Sequence, residues 1–245
     1  MTIRNLAVHN MRIVLICFLL LAWPCFSAQK TLKVAVNIGP PWAFQPAGQE
    51  VTGIDVEILR HVFQQMGYAT EFHLLGYSRL IKDFNEGKFD VASPAAFESN
   101  SGFQTQPYLP FQDVVVSLQS EQQKIKHTDD LKGKRIVTYQ FAHAVLADQL
   151  SHVIQDTNYL EVADRELQLR LLVNNRTDVV IGERRLLTHI FKQYYPQEQF
   201  SIHPIFVAKS YGAIIKDKQL QLQFDQELTK LMASDKYQQL LKQWP

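Results

Sequence analysis

Gly87-Lys88-Phe89-Asp90-Val91 is echoed further along the chain by Asn175-Arg176-Thr177-Asp178-Val179-Val180. Each copy holds a helix stop, a basic residue, then an aspartate that opens a buried strand. Turns from helix to strand often have this make-up, so the weight comes from what precedes each copy. Before the first, Leu32–Val36 (LKVAV) reads as a strand, and the loop Gly39-Pro40-Pro41-Trp42-Ala43-Phe44 leads to Gly53 and a helix. The inward face of that helix is Ile58, Leu59, Val62, Phe63 and Met66, with Gly67 placed to end it. Thr70, Phe72 and Leu74 alternate as a second strand; Ser78 is placed to cap a helix carrying Leu80, Ile81 and Phe84, and a third strand begins at Phe89. Before the second copy the same order recurs: Lys134–Thr138 (KRIVT) as strand, His143–Val153 as helix, Leu167–Leu172 as another, with Asn175 as its stop.

This alternation predicts an α/β fold in two lobes of similar design, each a mainly parallel sheet flanked by helices. Phe111–Leu118 is β-rich, Ser120–Asp130 is a polar surface excursion, and Ile205–Val207 and Ala213–Ile215 are strand-like. Two extended segments crossing between lobes make a pair of hinge strands, with residues 28–111 plus 208–245 in the first lobe and 112–207 in the second. The final helices show Phe224, Leu228, Leu231 and Met232, then Tyr237, Leu240, Leu241 and Trp244, and are expected to pack on the first lobe.

At the other end, Arg4 and Arg12 precede the apolar run Ile13–Trp23 (IVLICFLLLAW), and small residues follow. The run is about 11 residues, well short of the roughly 20 needed to span a bilayer, so residues 1–27 read as a signal peptide. Cutting after Ser27 puts Cys25 at −3, whereas cutting after Ala28 would put bulky Phe26 there, so the mature chain is expected to start at Ala28. An uncleaved anchor is the alternative; Trp23 and Pro24 argue against lipid attachment at Cys25. Both cysteines, Cys17 and Cys25, leave with the segment, which excludes disulfides, thiolate metal sites and cysteine nucleophiles from the mature chain. Of 25 Lys+Arg, losing two leaves 23 against 24 Asp+Glu, a net charge of −1 that implies no nucleic-acid partner.

Further motifs, weak singly but specific in order and spacing, make nearly the whole mature chain resemble the bacterial extracellular solute-binding proteins of family 3, the polar amino acid type serving ABC transporters. They are Pro40-Pro41-Trp42, Gly53-Ile54-Asp55, the Gly87–Val91 segment, Gln106-Pro107-Tyr108, Asp130-Leu131-Lys132-Gly133-Lys134-Arg135-Ile136, and the terminal Tyr237–Trp244. The resemblance implies a two-lobed type II periplasmic binding protein fold that closes about its hinge on a small polar ligand, an amino acid or amine-like compound. It further implies a free periplasmic monomer that docks on a membrane permease, with no cofactor, no metal and no catalysis. A ligand-sensing accessory module and, less favoured, a dehydratase-like enzyme are the alternatives on the same fold.

Carried over residue by residue, the family's site is partly missing. Its carboxylate-gripping Arg falls within Val91–Tyr108, where this sequence has no basic residue; Glu98 or Ser99 stands nearby, and Arg79 is the base of that lobe that could replace the missing clamp. Its hydroxyl-rich turn is reduced to Ser93 followed by Pro94, Ala95, Ala96 and Phe97. Its ammonium-receiving acid, five positions after the strand-opening Asp178, is Glu183, which could equally be a helix-start carboxylate or a partner of Arg184 or Arg185. His143, in the loop Tyr139–His143, stands where a hydroxyl usually meets the ligand, or else faces solvent in a first helical turn. Trp42, Phe44, Tyr77 and Phe97 are candidate cleft walls or plain core, and Gly39 stands where many relatives carry a stacking aromatic. The candidate ligand-binding set is therefore Trp42, Phe44, Tyr77, Ser93, Phe97, His143 and Glu183. No Gly-x-Ser-x-Gly, phosphate-binding glycine loop or His-Glu-x-x-His is present, so no catalytic set is assigned.

Amino-terminal sequencing of the exported protein is expected to begin at Ala28, and recovery of Met1 would contradict cleavage.

Overall fold

The computed structural model describes residues 29–155 and 157–243; the signal-peptide features up to Ala28, and Trp244, lie outside the described residues. The first stretch runs β1 (Thr31–Asn37), α1 (Ile54–Gln65), β2 (Ala69–Leu75), α2 (Tyr77–Asn85), β3 (Val91–Ser93), β4 (Phe103–Gln104) and β5 (Leu109–Phe111). The middle runs β6 (Asp113–Leu118), β7 (Arg135–Thr138), α3 (Ala142–Val145), α4 (Ala147–Ile154), β8 (Asn158–Glu161), α5 (Arg165–Val173), β9 (Val179–Glu183), α6 (Arg184–Tyr194) and β10 (Phe200–His203). Then come β11 (Lys209–Tyr211), β12 (Ile214–Ile215), α7 (Lys218–Met232) and α8 (Asp235–Lys242).

Two five-stranded sheets result, ordered β2-β1-β3-β12-β4 and β10-β6-β9-β7-β8, and β5 pairs with β11 as a separate two-stranded ribbon. The fold is the expected two-lobed α/β type, but the sheets are mixed rather than mainly parallel. Each has two parallel pairings, β1 with β2 and β3 or β7 with β8 and β9, and two antiparallel ones, through β12 or β6. The reason lies in the crossings. Strands whose following loops face the other sheet run toward it, whereas β6 and β12 arrive from the β5–β11 ribbon and run away from it.

The sequence echo is a register device. Asp90 Oδ2 accepts the backbone N–H of Lys33 at 2.8 Å while the Asp90 N–H donates to Lys33 O at 2.9 Å. In the second sheet Asp178 Oδ2 accepts from the Arg135 N–H at 2.7 Å and the Asp178 N–H donates to Arg135 O at 3.0 Å. Each pair sits one residue ahead of the parallel ladder, Val34 opposite Val91 and Ile136 opposite Val179. The helix stops that deliver the two aspartates, Gly87 and Asn175, both have positive φ, 83° and 53°.

Side-chain alternation along the strands divides the core into layers. Val34 and Val36 face the layer beneath α1, α7 and α8, and Ala35 faces Leu80, Phe84 and Phe89 on the other side. Val114 and Val116 face α5 and α6, while Val115 joins Leu146, Leu150 and Val153. The layers on the α1 and α6 sides meet through Trp42, Leu186 and Leu187, so the two halves touch along one flank. The terminal helices pack on α1 as expected, with Phe224, Leu228, Leu231, Tyr237, Leu240 and Leu241 buried.

Three local expectations change. The helix expected over 143–153 is broken at Leu146, whose φ of −106° and ψ of 19° separate α3 from α4. Ser78 does not cap α2, which starts at Tyr77 after Gly76; its hydroxyl instead donates to Gln140 Oε1 at 3.1 Å. Ile205–Val207 is not a strand, because the pairing with β6 is made earlier, by Phe200–His203. Among the described residues, no helix is long and apolar enough to cross a membrane.

The Pro40-Pro41-Trp42 loop closes the start of α1. Pro41 O accepts the Ile54 N–H at 2.9 Å and Trp42 O accepts the Asp55 N–H at 3.0 Å, satisfying helix-end donors for which no side chain is offered. That approach requires Gly53. Its φ is 128°, and a Cβ there would lie 2.3 Å from Trp42 O and 2.6 Å from Trp42 C. Gly53→Ala is expected to cost about 3 kcal/mol or more in chemical denaturation, against about 1 kcal/mol for Gly67→Ala, where positive φ is the only obstacle. Equal costs at the two positions would contradict the role given to the loop.

Candidate functional site

The ends of the parallel strands place the site. Asn37 ends β1, Tyr77 follows β2, and Pro94 and Ala96 follow β3; from the other sheet Tyr139 and Gln140 follow β7, Arg165 follows β8 and Glu183 ends β9. All of these line one cavity. It therefore lies between the carboxyl edges of two sheets, where open α/β sheets bind ligands. The ribbon adds Phe111 and Tyr211, the start of β6 adds Asp113, and Trp42, Leu186 and Leu187 complete an apolar wall. The cavity volume is about 80 Å³, several times what one water requires.

Polar contacts join the halves around it, among them that of Lys209 Nζ, which donates to Val145 O at 3.2 Å. Trp42 Nε1 donates to Glu183 Oε2 at 2.8 Å, Ser78 to Gln140 at 3.1 Å, and Arg185 Nη1 to Leu241 O at 2.5 Å. Trp42 also packs on Phe111 at 4.4 Å between centroids. Gly39 is where Leu186 enters: a Cβ on Gly39 would lie 2.7 Å from Leu186 Cδ1. The space that an aromatic at position 39 would fill is thus taken by the opposite lobe.

Of the sequence candidates, Trp42, Tyr77 and Glu183 come together in the cavity wall. Glu183 is also the N-cap of α6, its Oε2 accepting the Leu186 N–H at 2.8 Å as well as the indole. Arg184 and Arg185 do not pair with its carboxylate through their side chains. Phe44, Ser93, Phe97 and His143 lie off the wall. Phe44 is half-buried and faces His189, with ring centroids 6.3 Å apart. Ser93 is fully buried against Tyr108, and Phe97 packs on Tyr77 and Phe84. His143 is exposed and its Nδ1 lies 2.8 Å from Glu161 Oε1, because Glu161 also binds the N–H groups of Phe141 and His143 and so turns the loop outward. Arg79 is exposed on α2 and pairs with Asp83 at 3.0 Å, away from the cavity.

Sequence reasoning missed Arg165, Asp113, Tyr139, Tyr211, Gln168 and Asp55, all in the wall. The one available signal was Arg165 itself, a cation in the first turn of a helix, where the macrodipole disfavours it. The register of β6 against β9 sets Asp113 opposite Glu183, so two acids meet at the cavity edge. Burial pushes both carboxyls up, opposed for Asp113 by the Tyr139 hydroxyl, which donates to Oδ2 at 2.8 Å, and for Glu183 by Trp42 and backbone N–H groups. Burial lowers the Arg165 guanidinium to about 10, so it remains charged at neutral pH. Asp55 is the deepest acid: burial raises it from 3.8 to about 6, opposed by the hydroxyls of Tyr108, which donates to Oδ1 at 2.7 Å, and of Ser93.

The model of one family, bacterial extracellular solute-binding proteins, family 3, matches residues 32–245, and the chain belongs to that family. Among curated proteins it is similar to the "Probable ABC transporter extracellular-binding protein YckB" of Bacillus subtilis, 26% identical over 163 residues, 63% of this chain and 54% of that protein. It is also similar to the "Probable amino-acid ABC transporter-binding protein" of Haemophilus influenzae, 26% identical over 171 residues, 67% of this chain and 64% of that protein. The matches thus span between about half and two-thirds of those relatives' own lengths. Among solved structures, an ancestral arginine-binding protein bound to arginine superposes with a TM-score of 0.75 at 20% identity, over 87% of this chain and 97% of that one. At that identity the likeness is one of fold.

Asp55 gives the site a pH signature. With its carboxyl raised in the folded state, the folded chain holds a proton between pH 3.8 and about 6 that the unfolded chain has lost. The associated stability is complete below that window and is lost as pH rises through it, by up to about 3 kcal/mol. In urea titrations, wild type is expected to lose that much more stability than Asp55→Asn between pH 4 and 7. A difference that grows in favour of wild type as pH rises would refute the assignment.

Proposed function

We propose that this member of the family is a periplasmic solute-binding protein that closes on a small polar ligand, an amino acid or amine-like compound, and presents it to an ABC permease. It acts as a monomer, without cofactor and without a catalytic step. Residues 1–27 direct export and are removed. Residues 28–111 with 208–245 form one lobe, residues 112–207 the other, and the β5–β11 ribbon is the hinge.

The observation that carries this reading is the origin of the cavity wall. Its loops leave the carboxyl edges of two separate sheets, so a solute between them touches both halves at once. Such a solute favours the closed arrangement by whatever contacts it makes only there. Trp42–Glu183, Ser78–Gln140 and Arg185–Leu241 add a bias of the same sign, being contacts between halves. The descriptions of the relatives, as extracellular and amino-acid transporter-binding proteins, agree with this reading. Three acids against one arginine in the wall favour amine-bearing solutes over simple acidic amino acids.

Thermal unfolding with a panel of amino acids and amines tests the proposal, since a ligand at 100 times its Kd adds about 2.7 kcal/mol to stability. At least one neutral or basic amine-bearing solute is expected to raise the Tm, with glutamate and aspartate weaker. A flat response across the panel, with no small molecule released on denaturing the purified protein, would count against solute capture.

A further inference from the structure

Two side chains in the cavity wall, one turn apart on α5, carry polar capacity that no hydrogen bond among the described residues uses. The Arg165 guanidinium lies over the Tyr139 ring, 4.9 Å from its centroid, and among the described residues it donates no side-chain hydrogen bond. It is also the one basic side chain among the lining residues. Gln168 is fully buried, and its Nε2 donates to Thr138 O at 3.1 Å and Val162 O at 2.6 Å. Both partners are pure acceptors, so the amide nitrogen must face them and the orientation of the group is fixed. Its Oε1 is thereby left buried without a donor, in the wall of the same cavity. A buried carbonyl oxygen without a donor, and a buried guanidinium that Asp113 and Glu183 reach only through space and not by a hydrogen bond, both carry a cost that a ligand of the right chemistry removes.

We infer that Arg165 and Gln168 are the ligand's polar anchor: Arg165 grips a carboxylate of the solute, Gln168 Oε1 accepts an N–H from it, and the solute is a zwitterion with an apolar or aromatic body. This rests on the capture reading above and names its substrate class. The planar guanidinium suits a two-bond grip on a carboxylate. Its position at the start of α5 adds the helix-end field to the same preference for an anion. Asp113 stands ready at the start of β6 for the ammonium, its Oδ2 held by Tyr139. The apolar body follows from the rest of the wall, where Trp42, Phe111, Leu186 and Leu187 leave little polar surface.

The test uses isothermal titration of the mature protein with L-leucine, L-phenylalanine and their carboxamides, on wild type, Arg165→Met, Arg165→Lys and Arg79→Ala. Wild type should bind at least one of the free amino acids and its carboxamide roughly 10- to 100-fold more weakly. Arg165→Met should lose a comparable factor for the free amino acid, Arg165→Lys should recover part of it, and Arg79→Ala should match wild type. Equal binding of amino acid and carboxamide by wild type overturns the inference without relying on any variant. Undiminished binding by a folded Arg165→Met protein also overturns it while leaving capture intact. If wild type binds no member of the panel, the substrate class is wrong and the anchor falls with it; solutes captured from other classes would then leave the broader reading standing.

Discussion

The hydrogen-bonded pairing of Asp90 with Lys33 and of Asp178 with Arg135 fixes where the parallel β1–β3 and β7–β9 ladders begin. A shift of one residue would turn every strand side chain to the opposite face. Val34 and Val36 would then leave the layer beneath α1, and the loops after β1 and β3 would no longer end level with each other. The same holds for β7 and β9. Because both sheets use the same device at the same offset, each presents an even carboxyl edge, and the cavity forms where the two edges face each other.

Much of the chain's unusual detail follows from how close those edges come. Gly39 has no side chain because Leu186 occupies its space, and Gly53 has none because the Trp42 carbonyl lies against it. Trp42 in turn spans the gap with its indole N–H on Glu183. Glu183, which stands where the resemblance puts an ammonium acceptor, is thus partly engaged by the protein itself, with one oxygen shared between the indole and the first turn of α6. The acid five residues after Asp178 thus joins the two halves and caps α6, and the wall groups without such contacts lie toward α5.

Burial sets the electrostatics of the site. Asp55, Asp113 and Glu183 all have raised carboxyls because the cavity is walled by aromatic and aliphatic side chains, and each is partly offset by donors that the fold supplies. Arg165 is lowered by the same burial and has no hydrogen-bonded partner among the described residues to offset it. Groups poised in this way are characteristic of sites built for a ligand.

The periodicity of LKVAV and of the helix ending at Gly67, the repeated stop-base-Asp segments and the apolar stripes of the last two helices are local patterns. Local patterns determine local structure, and through it the two-lobed α/β design and the burial of the terminal helices' apolar stripes, while the family resemblance pointed to Glu183, which lies in the cavity wall with Trp42 and Tyr77. Where a residue's fate depends on a distant partner, the sequence was silent: Glu161 pulls His143 outward, Gln140 takes the Ser78 hydroxyl from its expected cap, and hinge geometry makes β6 and β12 antiparallel. Arg165 and Asp113 belong to the same class, since they are far apart in the chain and neither stands in a motif. Only the facing of two sheet edges brings them to one cavity, because register and hinge direction are properties of paired strands and not of either strand alone.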